Sequence, residues 1–565
     1  MVGSRRGRLS DSSRRDAGFE RAPAVAMTVT EVQRARKFWG WGYQGEGLSD
    51  AEVQGIGREM QRRIGVEPRP VAAPPQLGSI SMPESQLRVP ESLESLCSRD
   101  RRERAVHTLG KSYDDLMRGL RGDYRHAPDV VAYPRDERDI ENVLAWCADQ
   151  HAAAIPFGGG SSVVRGIEPD VGDGYAGTVS IDMRHLNKVL EVDRASRSAL
   201  IQAGVLGPNL EEQLKPHGLT LRHFPQSFEM STLGGWIATR SGGHYATLFT
   251  HIDEFVEGVS AITPRGTYET RRLPGSGAGP DPARLLIGSE GTLGVIAQAW
   301  MRLQDRPRFR ASAPFEFERF EDAWGATRVI AQSGLWPANC RLLDQREVLF
   351  SGAGDGTRNL LIVTFESADH ALDAAFSRAA ELCAEFRGSS PVELSGTSSD
   401  TDAAHRGAAG AWRNAFIAGG HRHDAFARLG LVMETFETAI TWDRFPAFHA
   451  AVMEATQESA ERVCGRAMVS CRFAYVYPDG PAPYYTVLGQ SRAGSELEQW
   501  AEIKAAASDA VIAAGGTITH HHAVGRYHRQ WYDQERPPLF AEAYRAARRA
   551  LDPVGIMNPG VLVDQ

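Results

Sequence analysis

Three glycine-rich loops constrain the fold of this chain more than any other feature of its sequence. They read P-F-G-G-G-S-S at 156–162, T-L-G-G-W at 232–236 followed by S-G-G at 241–243, and G-S-E-G-T-L-G-V-I at 288–296. Glycine has no Cβ and accepts positive φ, so such loops can bring backbone N–H groups close to an anion. None is a Walker A loop or a G-x-G-x-x-G turn that opens a Rossmann helix, so the usual nucleotide-binding folds are not indicated.

One such loop alone is more often a tight turn than a ligand site. Three of them within about 140 residues supply many N–H and O–H donors with almost no charge. That set of donors suits a pyrophosphate held mainly by backbone groups. The sequence therefore favours a nucleotide-binding domain of a less common fold.

Length and charge exclude several classes of protein. The chain has 565 residues, of which 42% are hydrophobic and 24% charged, and its formal net charge is −8. This balance is typical of a folded protein of three or four units, and it excludes wholesale disorder, a peptide hormone and a lone binding module. Because there is no cationic surplus, no nucleic-acid partner is predicted.

Cysteine spacing and hydropathy bear on location. The six cysteines lie far apart without a C-x-x-C pair, which argues against a disulfide framework or a zinc ribbon and favours a reducing, cytoplasmic compartment. No run approaches the roughly 18 to 20 apolar residues of a transmembrane helix, so no membrane span is predicted. Arg8-Leu9 begins like an N-terminal peroxisomal signal, but Arg15-Asp16 does not complete it.

Changes of pattern along the chain predict an α+β protein. In the region of the glycine loops, a strand at Asp129–Tyr133, a helix at Asp136–Gln150 and a strand at Ala153–Phe157 form a β-α-β unit. The aromatic run Phe38–Tyr43 is expected to dock on a later domain, more as packing than as a binding site. The predicted segments are a disordered tail (1–26), a mainly helical segment (27–124), the glycine-loop domain (125–305), an α+β cap domain (306–515) and a C-terminal segment with a histidine triplet (516–565).

Taken together and in order, the three loops resemble the flavin-binding domain of the vanillyl-alcohol-oxidase superfamily. The resemblance implies a two-lobed PCMH-type FAD-binding domain with an α+β cap and helical N- and C-terminal segments. Many members attach FAD through a histidine directly after the triple glycine, where this chain has Ser161, and no cysteine stands where a second link would form, so non-covalent FAD is expected. The residues expected to bind it are Pro156, Phe157, Gly158, Gly159, Gly160, Ser161, Ser162, Gln226, Ser227, Ser231, Thr232, Gly235, Thr239, Arg240, Ser241, Glu290, Gly291, Thr292, Gly294, Val295 and Ile296.

Over the whole chain the sequence resembles the alkyldihydroxyacetonephosphate synthase family. The resemblance begins at K-F-W-G-W-G-Y (37–43), continues through I-T-P-R-G (262–266) and reaches the carboxyl end. It implies a transferase of ether-lipid synthesis that exchanges the acyl group of acyl-dihydroxyacetone phosphate for a fatty alcohol without net redox change. A lipid-like substrate, contact with a membrane surface and a homodimer are implied as well.

The same resemblance points to five catalytic candidates: Arg341, Tyr484, His520, His521 and His522. Histidine suits proton transfer because its ordinary pKa lies near 6.5, whereas Tyr484 would need a cationic neighbour, which the histidines could supply. On an extended segment His520 and His522 would share one face and His521 the other, so at most two meet a substrate. A structural hydrogen-bonding role remains an alternative for the triplet. No metal is predicted, since a zinc site needs three or four converging ligands.

Departures from the family pattern leave phosphate recognition open. The family has an arginine, proposed to hold the phosphate, where this chain has His423 with Arg422 beside it, and Thr435 replaces a serine. Arg422, His423 and Thr435 are therefore the candidate substrate-binding residues. Gln226 likewise replaces the aspartate that opens the second loop. The rival hypothesis is an FAD-dependent oxidase or dehydrogenase of a 2-hydroxy acid or alcohol, and the third is a flavin-binding protein without catalysis.

Overall fold

The computed structural model describes residues 34–245, 247–391 and 419–564, so the predicted tail lies outside the described residues. The N-terminal segment lies across the other domains. Its aromatic run docks as predicted: Trp39 Nε1 donates to the Leu116 carbonyl (2.8 Å), and the Trp41 N–H donates to the Asp424 carboxylate (2.9 Å). The helices of this segment are Asp50–Ile64, Arg101–Val106 and Tyr113–Leu120.

The first lobe of the glycine-loop domain is a small, mainly parallel sheet. In spatial order its strands are Cys97–Ser98, Val130–Ala132, Thr178–Asp182 and Ala153–Phe157, of which the first is antiparallel to its neighbour. The helix Glu137–Gln150 joins two of these strands, and the Asp136 carboxylate caps its N-terminus. The predicted β-α-β unit is confirmed. The triple glycine follows directly on the strand Ala153–Phe157.

The second lobe is an antiparallel sheet that carries the other two loops. The third loop leads into its central strand, Val295–Arg302, and the second loop opens the short helix Leu233–Thr239. The five strands in spatial order are Val189–Asp193, Ser198–Gln202, Val295–Arg302, Val256–Thr263 and Gly266–Glu269. This lobe also has helices at Gly207–Leu214 and Ala283–Leu286. A separate two-stranded sheet pairs Leu219–Thr220 with Gln304–Asp305.

The cap is one antiparallel sheet with helices packed against it. The six strands in spatial order are Phe309–Phe317, Asn359–Ser367, Asn339–Leu343, Ala467–Val476, Pro481–Gln490 and Leu431–Glu437. Its helices are Phe320–Gln332, Gln345–Ser351, Asp373–Glu385, Gly419–Arg428, Phe445–Cys464 and Glu496–Ala513.

Alternation along the cap strands separates the core from a polar inner face. Cys471, Phe473 and Tyr485 belong to the hydrophobic core of the cap. Their neighbours Arg472 and Tyr484 project from the other face, because successive side chains of a strand point to opposite sides. That polar face is turned towards the glycine loops.

The C-terminal segment returns from the cap to the first lobe. After the helices Arg529–Glu535 and Pro538–Leu551, the Ile556 carbonyl accepts from the Ala154 N–H (2.9 Å) and the Asn558 N–H donates to the Ala154 carbonyl (3.0 Å). The last residues therefore extend the sheet that precedes the triple glycine. None of the helices within the described ranges combines the length and the apolar run needed to cross a membrane.

Candidate active site

A large cavity, the main cavity, lies between the first two glycine loops and the inner face of the cap sheet. Its empty space, including the open mouth, is about 1260 Å³. A second cavity of about 690 Å³, the loop cavity, lies beneath the first and third loops. Residues 158–162 and 225–227 line the main cavity from below, and Arg341, His423, Thr435, Arg472, Tyr475, Tyr484, His521 and His522 line it from above.

The first two glycine loops touch each other through backbone atoms. A Cβ on Gly159 would lie 1.8 Å from the Met230 carbonyl oxygen, and a Cβ on Gly158 would lie 2.3 Å from Thr232 Oγ1. Neither position has room for a side chain, so these glycines are required by the contact between the loops. Gly235 differs, since a Cβ there would meet only Thr232 Oγ1, at 3.3 Å, on the wall of the cavity.

The two cavities fit a dinucleotide such as FAD. Within the described part of the chain, the N–H groups of Gly159, Gly160, Ser161 and Ser162 have no hydrogen-bond acceptor. Buried N–H groups are nearly always paired, so this cradle suits an anionic group such as a pyrophosphate. The wall of the loop cavity is mainly apolar, as the remainder of a flavin cofactor requires.

All but two of the predicted cofactor-binding residues line one of these cavities. The exceptions are Arg240, which pairs with Asp253 (3.3 Å), and Thr292, whose hydroxyl donates to the Ser289 carbonyl (2.7 Å). Glu290 lines the loop cavity, but its carboxylate accepts from the backbone N–H groups at 524 and 525 (2.9 and 2.8 Å). Glu290 thus also joins the third loop to the segment that follows the histidines.

Tyr484 has a cationic neighbour, but it is not a histidine. The Arg472 guanidinium lies 3.8 Å above the Tyr484 ring and donates to Glu347 (2.7 Å). Burial raises the pKa of Tyr484, while Arg472 and a hydrogen bond with Thr435 oppose that rise. The expectation that the histidines supply the positive charge is corrected, because burial lowers the pKa of His521 to about 3 and that of His522 below its ordinary value.

The histidine triplet forms a bend around the carboxylate of Glu437. This carboxylate accepts from the backbone N–H groups of His520, His521 (3.2 Å) and His522 (2.8 Å), and from the Thr519 hydroxyl (2.7 Å). Burial alone would raise the pKa of Glu437, but the adjacent histidines and Thr519 hold it well below its usual range. The bend therefore encloses a carboxylate that stays ionised.

Because the segment bends, the expected alternation of the three histidines is wrong. His521 and His522 both line the main cavity, with their rings 6.1 and 5.6 Å from that of Tyr484. His520 turns away from the cavity, and its Nε2 lies 2.7 Å from the Tyr477 hydroxyl. The atoms of Glu437, His520 and His521 lie close enough to hold a metal ion. The carboxylate there is already surrounded by four donors, and the prediction of no metal stays a prediction.

The three substrate-binding candidates lie at the cap end of the site. His423 and Thr435 line the main cavity, whereas Arg422 lines a smaller adjoining cavity of about 490 Å³ and lies over the ring of Phe350 (5.0 Å). Burial lowers the pKa of His423 to about 4, so this ring is neutral near pH 7. Among the described residues that line the main cavity, Arg341 and Arg472 alone carry a formal charge.

Sequence reasoning missed Arg472, Glu437 and Trp41. Trp41 lines the main cavity, although its aromatic run was interpreted as packing. Arg472 is the charged residue inside the apolar run M-V-S-C-R-F-A-Y-V (468–476), and that isolation within a buried strand was the signal that could have identified it. No signal in the sequence alone pairs Glu437 with histidines more than eighty residues later.

Comparisons with known proteins define the class and then the family. Residues 128–271 match the model of an FAD-binding domain, and residues 306–562 match the model of the C-terminal domain of FAD-linked oxidases. The fold is thus that of the PCMH-type flavoproteins, and FAD is the cofactor of this chain. Alkyldihydroxyacetonephosphate synthase of Dictyostelium discoideum is 30% identical over 478 residues, which cover 82% of this chain and 78% of the relative. The chain belongs to the alkyldihydroxyacetonephosphate synthase family, as its sequence predicted, and it is an FAD-dependent enzyme.

Two further matches place the chain relative to other enzymes of its class. A solved structure of alkyldihydroxyacetonephosphate synthase is 25% identical, with a TM-score of 0.75, and the match covers 93% of this chain and 98% of that one. Glycolate oxidase subunit GlcD of Bacillus subtilis is 24% identical over 482 residues, which cover 82% of this chain and 97% of the relative. The oxidase hypothesis is therefore supported by a distant relative. That relative is less similar to this chain than the synthase of Dictyostelium discoideum is.

The position of Gly235 allows a test of where FAD binds. Gly235→Leu is expected to lower the FAD content of the purified protein by about 10- to 100-fold without unfolding it, because the new side chain enters the cavity. The measurement is the flavin absorbance of the supernatant after acid precipitation, together with the melting temperature. Gly174→Leu is the matched control, since a Cβ there meets nothing within 4 Å. Flavin that stays with the precipitated parent chain would contradict non-covalent binding, and parental flavin content in Gly235→Leu would contradict the placement.

Proposed function

We propose that this enzyme exchanges the acyl group of acyl-dihydroxyacetone phosphate for a fatty alcohol, without net oxidation or reduction. One observation carries the proposal: Tyr484, Arg341, His521 and His522 meet in the same cavity as the loops that cradle FAD. These are four of the five residues that the family resemblance names as catalytic. When bound beside the first two glycine loops, FAD would supply a nucleophilic nitrogen for the substrate carbon at which the acyl group is exchanged for the alcohol.

The histidines in the cavity are suited to take the proton beside the substrate ketone. His521 and His522 are neutral near pH 7, because burial lowers their pKa, and a neutral imidazole carries a free lone pair. The ionised Glu437 beside them stabilises the imidazolium that forms when one of them accepts the proton. Tyr484 stays a neutral phenol in this environment, so its hydroxyl can both donate and accept.

Arg341 and Arg472 are suited to bind the anionic end of the substrate. They lie in adjacent strands of the cap sheet, where Arg341 is buried and Arg472 half-buried. Arg341 Nη2 donates to the His244 carbonyl (3.0 Å). Burial lowers the pKa of Arg341 to about 9, which still leaves it charged near pH 7. A buried guanidinium with donors directed in a plane can bind a phosphate in two places.

The membrane contact, the homodimer and the cytoplasmic location are further proposals. An apolar pair, Leu248 and Trp336, supports the first of them: these side chains are 50% and 44% exposed, and both residues have positive φ. The two segments are joined where the Thr247 hydroxyl donates to the Pro337 carbonyl. The first segment continues from Gly242 and Gly243, which line the main cavity, so the pair lies near the path that a lipid chain would take.

The redox outcome separates the proposed transferase from the oxidase. Mixed anaerobically with acyl-dihydroxyacetone phosphate and a fatty alcohol, the enzyme is expected to form an alkyl product while its flavin ends the reaction oxidised. The measurement combines flavin absorbance with product analysis. Full reduction of the flavin by a 2-hydroxy acid or an alcohol, with no alkyl product, would replace the proposal with the oxidase hypothesis.

Substitutions in the cavity are expected to reduce turnover without loss of FAD. Tyr484→Phe and at least one of His521→Gln and His522→Gln should lower kcat by about 10²- to 10⁴-fold, the range for removal of a general acid or base. Arg341→Lys should raise KM, since an ammonium cannot grip a phosphate in two places. His449→Gln is the control, because this histidine lies in the cap against Tyr485 and not in the cavity. Near-parental kcat in both histidine variants would favour a structural role for the triplet.

The apolar pair is tested with liposomes. The double variant Leu248→Glu/Trp336→Glu is expected to float with vesicles at least about threefold less than the parent, since each carboxylate would have to leave water to enter the interface. The matched control is Leu539→Glu/Phe540→Glu, which changes an apolar pair at least as exposed on the C-terminal helix. Flotation that is lost only in the control would place the contact on that helix instead, and no flotation of the parent would refute membrane contact.

A further inference from the structure

A continuous row of hydrogen-bonded side chains leads from the main cavity towards the surface. It starts at His521, whose Nδ1 lies 3.2 Å from His520 Nδ1. His520 Nε2 lies 2.7 Å from the Tyr477 hydroxyl, which lies 2.8 Å from Thr250 Oγ1. The Thr250 hydroxyl in turn donates to Glu254 Oε2 (3.4 Å). Only the first of these five residues lines the cavity.

One set of proton positions satisfies the four contacts between successive members of the row, although His520 Nδ1 also has His251 Nε2 as a neighbour (3.3 Å). Glu254 is a carboxylate at its outer end and accepts from Thr250, so the Thr250 hydroxyl accepts from Tyr477. Tyr477 then accepts from His520 Nε2–H, which leaves the lone pair of His520 on Nδ1. His521 therefore donates from Nδ1, and its own lone pair is on Nε2. This is the tautomer that a base in the cavity requires.

The outer end of the row differs from the inner end in its surroundings. Glu254 is only partly buried, and its carboxylate also accepts from the backbone N–H groups of Thr250 (2.6 Å) and His251 (3.0 Å). The charged and titratable groups around the row are His251, which lies 3.3 Å from His520 Nδ1, together with Asp253, Arg240 and Glu437. Burial raises the pKa of Glu254, which makes this carboxylate a better proton acceptor than an exposed one.

The reaction under Proposed function, on which this inference rests, leaves one proton over in each turnover. The C–O bond to the fatty acid breaks, and its electron pair leaves with the carboxylate. A C–O bond to the fatty alcohol forms, and the alcohol oxygen loses its hydrogen. Since the fatty acid is ionised near pH 7, the sum is one ether, one carboxylate and one proton. A base inside the cavity that keeps this proton cannot start the next cycle.

We propose that the row from His521 to Glu254 conducts this proton out of the cavity. His521 accepts the proton at Nε2 and releases its Nδ1 proton to His520 Nδ1. His520 passes its Nε2 proton to Tyr477, Tyr477 passes its hydroxyl proton to Thr250, and Thr250 protonates Glu254, which gives the proton to water. Each group gains one proton and loses one, so no charge remains in the row. The reversed tautomers of His521 and His520 and the turned hydroxyls return to their starting positions by proton exchange with water before the next turnover. This assigns the base to His521 and makes His520, Tyr477, Thr250 and Glu254 positioning residues.

Two conservative substitutions interrupt the row without touching the cavity. Tyr477→Phe removes the central hydroxyl and keeps the ring, and Thr250→Val removes the next hydroxyl and keeps the shape. Their matched controls are Tyr485→Phe and Thr327→Val, which remove buried hydroxyls in the cap. FAD content and the melting temperature verify that each variant is folded.

Both row variants are expected to form the alkyl product at least about tenfold more slowly than the parent, with KM unchanged. Added imidazole buffer should restore much of their rate by carrying the proton, and their solvent deuterium isotope effect should rise above that of the parent. The two controls should show none of these changes. A merely structural role would slow turnover without the response to buffer or to deuterium.

The result that would overturn the proposal is parental turnover in both row variants, or slowing that neither imidazole nor deuterated water alters. Failure of the proposed function is recognised separately. If the parent itself forms no alkyl product from acyl-dihydroxyacetone phosphate and a fatty alcohol, the reaction has been assigned wrongly, and the row then has no surplus proton to carry.

Discussion

The carboxylate of Glu437 organises the catalytic end of this protein. It ends a cap strand, and three consecutive backbone N–H groups together with the Thr519 hydroxyl surround it. An ionised group is expensive to bury unless donors replace its water, and here the donors come from the segment that bears the histidines. A glutamine at this position would set its own N–H group against backbone N–H groups. The bend at residues 520–522 thus exists because the carboxylate needs it, and the bend decides which histidines face the cavity.

A second constraint acts at the flavin end of the site, where the backbone of the first glycine loop lies directly against the backbone that precedes the second loop. The approach of the first loop to the Met230 carbonyl excludes every side chain at Gly159, so the loop keeps its N–H groups directed at the ligand site. Neutral donors then bind the cofactor, and Arg341 and Arg472 supply the charge on the cap side. The two halves of the site therefore differ in character: one offers shape and neutral donors to a large cofactor, and the other carries the charged and titratable side chains.

Local patterns predicted much of this structure, and they failed where distant segments decide. The strand Ala153–Phe157 has the bounds that its composition indicated, and the glycine loops line the two cavities. The extended conformation predicted for the histidine triplet is wrong, because the sequence nearby gives no sign of the carboxylate around which it bends. The prediction that histidines are the cationic neighbours of Tyr484 is wrong for a related reason. Arg472 and Tyr484 are neighbours only because two strands pair in the folded sheet.

His423 stands where the family has an arginine, and the other charged residues of the site show why the cavity still has positive charge. A histidine buried there is neutral, and Arg422 next to it lies over aromatic rings beside the adjoining cavity, so neither puts a charge into the main cavity. Arg341 and Arg472 remain, and they lie on adjacent strands of the cap sheet, where backbone hydrogen bonds fix their separation. A cation held by a sheet loses less conformational freedom on binding an anion than one on a loop. With a neutral histidine at 423, the main cavity therefore keeps two cations, and both are held by strands of the cap sheet.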